Sequence, residues 1–198
     1  YLLSDGVYVL LYYVLGYRKK VVLRNLRNSF PGKDEAEINR ICKNFYHYLC
    51  DLFLETFKTL TISKSAMVKH CSFTPATLAL FRQMKEEKKS VVLVMGHKGN
   101  WEWAGNTFSI LCPQQLYVIY HPLANKYFNG LMYRMRTRFG TKLIAMQDTF
   151  RDMVQNRGEI NATAFIADQA PQPNTAQWLN FLHQDTPVFK GAEKIAQK

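Results

Sequence analysis

A chain of 198 residues that is 47% hydrophobic and 21% charged is long enough to bury one substantial core and too apolar to remain disordered. Its formal charge of +11 favours polyanionic partners, whether nucleic acid, anionic lipid head groups or an acidic protein. The four cysteines, Cys42, Cys50, Cys71 and Cys112, show no Cys-x-x-Cys spacing. That excludes a zinc ribbon and a dense disulfide framework, and it suits reduced thiols in a cytosolic compartment.

The chain opens on Tyr1 and soon enters an apolar, tyrosine-rich run from Val7 to Tyr17. Even with Leu2 and Leu3, this run falls short of the ~20 residues that cross a bilayer. It reads either as a membrane-associated, interfacial helix or as a buried core helix with a solvated basic end. Arg18, Lys19, Lys20, Arg24 and Arg27 follow, as expected of a cytoplasmic flank against anionic lipid. Pro31-Gly32 then marks a turn. We therefore expect residues 1–31 to form an N-terminal membrane-associated segment and 32–198 an α/β domain.

Asp34 is placed to cap a long helix, with Glu37 three positions on as a capping-box partner. Ile38, Ile41, Phe45, Leu49 and Leu52 keep helical spacing. Ser63 starts a further short element, and Thr74-Pro75 is a strong helix start. Val91 to Met95 is a short apolar run between polar residues and Gly96, the pattern of a buried strand. Past that point strand and helix alternate. Leu116 to Tyr120, Lys142 to Ala145 and Asn161 to Ala167 read as strands, whereas Trp101 to Leu111, Ala124 to Phe139 and Asp148 to Asn156 read as helices. Repeated βα units predict a mostly parallel central sheet flanked by helices, with ligands at the carboxyl ends of the strands. His97, His121 and Asp168 fall at such ends. The chain stops at Lys198 within what reads as the start of a helix at Gly191, as a piece of a longer protein would.

The segment with most chemistry is Gly96-His97-Lys98-Gly99-Asn100-Trp101-Glu102. A strand delivers His97 into a glycine turn, and Asn100 suits the N-cap of the next helix. That sets Glu102 in the helix's first turn, where it is expected to accept the proton on one ring nitrogen of His97 while the other faces substrate. Such a pair activates a hydroxyl by general-base catalysis, and backbone N–H groups near Gly99 and Asn100 offer an oxyanion site. The bare spacing equally fits a surface histidine beside a helix-start glutamate.

This segment resembles the His-X4-Asp/Glu motif of glycerolipid acyltransferases, in the form found in bacterial lipid A late acyltransferases. Asn25-Leu26-Arg27-Asn28-Ser29-Phe30-Pro31, Arg136-Thr137-Arg138-Phe139-Gly140 and Asp168-Gln169 resemble further motifs of that family, in the family's order, from about Tyr12 to Lys198. His121-Pro122 stands where relatives often carry Arg-Pro, and the 178–183 segment departs from the usual Phe-Phe-Gly.

The resemblance implies transfer of a fatty acyl chain from acyl carrier protein, or from acyl-CoA, to a hydroxyl of a lipid A precursor or lysophospholipid. It places the reaction at the cytoplasmic face of the bacterial inner membrane. His97 would be the base and Glu102 its partner. Arg136 and Arg138 would grip a substrate phosphate, and Asp168 with Gln169 would line the rim. No metal or tightly bound cofactor is implied, the acyl carrier or acyl-CoA being a co-substrate, and no nucleic acid takes part. As residues alone, the arginines are equally ordinary solvated charges and Asp168 a turn cap. The rival reading is a basic, non-catalytic module for nucleic acid or an anionic surface. It has charge and aromatics in its favour but no nucleic-acid motif.

Overall fold

The computed structural model describes residues 2–197; Tyr1 and Lys198, the outer ends of the two expected segments, lie outside the described residues. The chain parts into two compact units, one of residues 2–57 with 170–188 and one of 58–169 with 189–197. The first break thus comes after the long helix, not at the Pro31-Gly32 turn, because that helix shares a core with the elements before it.

In the first unit, α1 (Leu2–Val9) continues into a π-helical turn, Leu10–Val14, before α2 (Lys19–Ser29) and α3 (Glu35–Lys58). Tyr8 and Tyr12 pack with Cys42, Tyr46 and Cys50 of α3, residues one turn apart on a single helical face. Asp34 does cap α3, accepting from the Glu37 backbone at 2.7 Å. The Glu37 carboxylate, however, turns outward to Lys33 and Arg40 instead of closing a capping box. Phe45, Phe53 and Phe57 stay exposed.

The same unit contains an antiparallel hairpin that the apolar pattern did not reveal, β5 (Gln177–Phe181) with β6 (Gln184–Val188). Its two-residue turn, Leu182-His183, has positive φ at both positions, the geometry of a type I′ turn in which Asn-Gly is the usual signal.

The second unit is built on a four-stranded, fully parallel sheet: β1 (Val91–Met95), β2 (Gln115–Tyr120), β3 (Lys142–Ala145) and β4 (Asn161–Ile166). Its helices are α4 (Lys64–His70), α5 (Pro75–Glu86), α6 (Trp101–Leu111), α7 (Lys126–Thr137), α8 (Thr149–Gln155) and α9 (Gly191–Ala196). Ser63, Thr74, Asn100 and Asn125 each cap the helix that follows by accepting a backbone N–H. Phe81, Phe108, Leu116, Ala162 and Ala164 form the core between helices and sheet.

The strand order is β1-β4-β2-β3. Insertion of β4 beside β1 pairs Met95 with Ile166, so the residues two steps beyond, His97 and Asp168, emerge side by side.

Candidate active site

His97 occupies the turn between β1 and α6, and two glycines allow that turn. A Cβ on Gly96 would lie 2.9 Å from Asp168 Oδ2, a clash that any other residue would carry. Gly99 has φ +65°, a conformation that L side chains adopt at a cost of roughly 1 kcal/mol or more. Asn100 then caps α6 by accepting from the Trp103 N–H at 2.9 Å. Gly99 and Asn100 therefore act visibly as turn and cap, which aim the N-terminus of α6 at the site.

The partner of His97 is Asp168, not Glu102. One carboxylate oxygen, Oδ1, lies 2.6 Å from His97 Nδ1, and the other accepts the His97 backbone N–H at 2.6 Å. Partial burial by itself raises the Asp168 pKa, but the bonds from the His97 ring and backbone outweigh it and hold the carboxyl below its ordinary value. An ionised Asp168 accepts only, so Nδ1 carries the proton and Nε2 presents its lone pair. The Gln169 amide meets that lone pair at 3.3 Å, a long and easily replaced bond. Trp101 sets its ring edge-on to the imidazole at 4.6 Å and 79° and fixes the ring's remaining face.

Glu102 is held elsewhere. Its side chain is 11% exposed, and both oxygens accept from Arg136: Nε at 3.1 and 3.0 Å, and Nη2 at 2.5 Å. The expected His97–Glu102 contact is thus replaced by the His97–Asp168 hydrogen bond and the Arg136–Glu102 ion pair. Helix α6 begins after the turn, so Glu102 points across to α7 while strand pairing gives the imidazole a closer carboxylate. Arg136 is a clamp on Glu102, and Arg138 donates to the Thr59 carbonyl, so the first partner of each arginine lies within the protein. Among the described residues, no cluster of three His, Cys, Asp or Glu side chains gathers into a metal site.

His97, Glu102, Arg136 and Gln169 border a cavity of about 630 Å³, within the size range of small-molecule sites. Its walls are mostly apolar, with Phe73, Phe81, Leu93, Met95 and Phe108 among them. A carboxylate-backed imidazole at the mouth of an apolar chamber is suited to taking a proton from a hydroxyl that attacks an acyl group.

The family model for bacterial lipid A biosynthesis acyltransferases matches residues 2–198. The chain belongs to this family. No curated protein compared with it matches. As a lipid A biosynthesis acyltransferase it is an O-acyltransferase, an enzyme that joins an acyl donor to a lipid acceptor. Both His97 and Glu102 border the cavity as expected, but His97 pairs with Asp168. Asp-Gln at the end of a strand was the signal for that residue in the sequence. It gave the strand end without the neighbour.

Proposed function

We propose that the enzyme transfers a fatty acyl chain from acyl carrier protein, or acyl-CoA, to a hydroxyl of a lipid A precursor or lysophospholipid. The observation that carries this reading is the 2.6 Å His97 Nδ1–Asp168 contact, with Nε2 beside the cavity. The acceptor hydroxyl displaces the Gln169 amide from Nε2. As its oxygen attacks the thioester carbonyl, its proton passes to Nε2, and Asp168 stabilises the imidazolium that forms. The tetrahedral oxyanion faces the N-terminal end of α6 around Gly99 and Asn100, where the helix dipole favours negative charge. Collapse breaks the C–S bond, and the imidazolium returns the proton to the departing thiolate. The chemistry needs neither a metal nor a tightly bound cofactor; the acyl thioester is the co-substrate.

The acyl chain fits the apolar chamber. The Arg136–Glu102 pair keeps the first turn of α6 in place against α7, and Arg138, exposed beyond its bond to Thr59, is the arginine we assign to a substrate phosphate.

No helix of the described residues is long and apolar enough to cross a membrane. We place the enzyme on the cytoplasmic face of the bacterial inner membrane, with α1 and the π-helical turn lying in the interface. Leu2, Leu3, Val14 and Leu15 are exposed there, and Arg18, Lys20 and Arg24 follow them in exposed positions. The basic surface also suits an acidic acyl carrier.

The deciding assay supplies labelled acyl carrier protein or acyl-CoA with a panel of lysolipids and lipid A precursors. Transfer to one of these by the wild-type chain, lost in His97→Ala, is the expected result. Equal transfer by His97→Ala would overturn the assignment of the base.

A further inference from the structure

We propose that the hairpin of β5 and β6 is a second lipid-contacting element, whose tip enters the head-group layer of an anionic bilayer while Lys20 and Arg24 meet the lipid phosphates. The proposal rests on the membrane placement given above and adds where, beyond α1, the chain meets lipid. The hairpin is a two-stranded sheet by itself, too small to bury a core of its own. Trp178, Leu179, Phe181 and Leu182 are each between 41% and 58% exposed on it, an apolar patch of the kind that marks a contact surface.

The arrangement of these side chains selects the occupant. Directly opposed residues of an antiparallel pair share a face; Trp178 opposes Pro187, whereas Leu179 opposes Thr186 and Phe181 opposes Gln184. Trp178 therefore projects from one face, Leu179 and Phe181 from the other, and Leu182 stands in the turn. A rigid groove covers one face of a ribbon, whereas a fluid layer surrounds both faces and the tip together. Pairs alternate away from the hydrogen-bonded Phe181–Gln184 pair at the turn, so the Pro187 nitrogen lies on the outer edge, where it has no N–H to offer a further strand.

The charge beside the patch specifies the lipid. Gln184 ties the hairpin to the end of α2, its Oε1 accepting from Asn28 Nδ2 at 3.3 Å and its Nε2 donating to Ser29 Oγ at 3.1 Å. Lys20, Arg24 and Asn28 recur every four residues on one face of α2, so an exposed basic row leads to the apolar tip. Helix α2 holds four basic and no acidic side chains, which suits anionic head groups.

The ribbon also limits its own depth. Asp185, opposite Asn180, lies two residues up the strand from the turn, about 7 Å at roughly 3.4 Å per residue, within the ~5–10 Å that interfacial elements reach. Deeper entry would carry that carboxylate and the open strand edges into hydrocarbon, and both are costly there. Trp178 then lies at head-group level, where an indole is favoured.

The test mixes the full chain with phosphatidylcholine vesicles, with and without phosphatidylglycerol, whose acyl chains are brominated near the head group to quench tryptophan on contact. Wild type is expected to partition into the anionic vesicles and to show quenching of an emission component that Trp178→Phe lacks. The double variant Phe181→Ser with Leu182→Ser should partition about 10-fold or more weakly, the shift expected when the burial of large apolar side chains is lost. Lys20→Gln with Arg24→Gln should weaken binding to the anionic vesicles alone. Bound wild type without Trp178 quenching overturns the proposal, as does equal partition of the tip variant. The wild-type quenching needs no change at the tip, so it remains decisive even where the tip variant folds poorly. A tip variant that alters self-association while its vesicle binding is unchanged would identify a second copy of the chain as the occupant and refute contact with lipid. If wild type binds no vesicle, the proposal falls together with the membrane placement; binding without dependence on the hairpin refutes this inference and leaves α1 as the contact.

Discussion

Two carboxylates stand at the mouth of one sheet, and they differ in what holds them. Asp168 follows β4, its side chain is 46% exposed, and it faces a single histidine through ring and backbone. Glu102 opens α6, is 11% exposed, and is clamped by one guanidinium through three hydrogen bonds. In the proposed reaction the exposed carboxylate has a partner that changes charge, whereas the buried one has a guanidinium that stays charged. Chemistry is therefore expected to depend on Asp168 and integrity on Glu102, the reverse of what their sequence distances from His97 suggest.

The largest expected effect comes from His97→Ala, which removes the proposed base whichever acid is its partner and should lower turnover by ~10²–10⁴-fold. Asp168→Asn comes next, at roughly 10²-fold or more. The amide can donate, which favours the wrong tautomer of the ring, and it carries no charge to stabilise the imidazolium. The loss should fall on kcat with thermal unfolding little changed. If Glu102→Gln reduced kcat as far as Asp168→Asn at unaltered stability, the division between the two carboxylates would be broken.

Arg136→Ala should act on folding, because it strands a largely buried carboxylate. Removal of one member of such a pair costs about 3 kcal/mol or more, to be read from the denaturant midpoint. Glu102→Gln should cost less, since the amide oxygen still accepts from the guanidinium.

A finer probe contrasts two glycines. In Gly96→Ala the new methyl meets Asp168 Oδ2 at 2.9 Å and must push the carboxylate from the ring, so activity should fall by about one order of magnitude, the conversion of roughly 1.4 kcal/mol of lost alignment. In Gly105→Ala the new methyl comes no closer than 3.9 Å to Leu116, and the better helix former should add about 0.5–1 kcal/mol of stability. A fully active Gly96→Ala enzyme would show that the carboxylate's position is not limiting.

The smallest expected effect concerns acid. The folded-state pKa of Asp168 is depressed, so its bonds contribute stability above the carboxylate's ordinary range, and this is lost as pH falls through the lower, folded value. Wild type should therefore lose stability relative to Asp168→Asn only on the acid side of ordinary aspartate titration. Parallel unfolding curves for the two proteins down to that range would contradict the assigned cause.

Much of the site was legible because local rules govern it. The strand Val91–Met95, the glycine turn, the Asn100 cap and the helix from Trp101 have their expected bounds, since apolar run length, positive φ and side-chain capping all act within a few residues. The hairpin at 177–188 escaped notice because its turn is Leu-His and its strands carry no clear alternation. The expected His97–Glu102 contact rested on a true local fact, a glutamate in the first turn of α6. It failed because a first-turn side chain has more than one direction to face, and α7 supplied a guanidinium.

The sequence by itself determined the elements of the second unit, the position of His97 at a strand's carboxyl end, and membership of the family. Only the tertiary structure decided which acid the histidine meets. Parallel strands are joined by long crossovers, and their order in the sheet is chosen by packing across the whole unit. The placement of β4 against β1 brings residues 71 positions apart into contact, and no pattern within either strand encodes that neighbour.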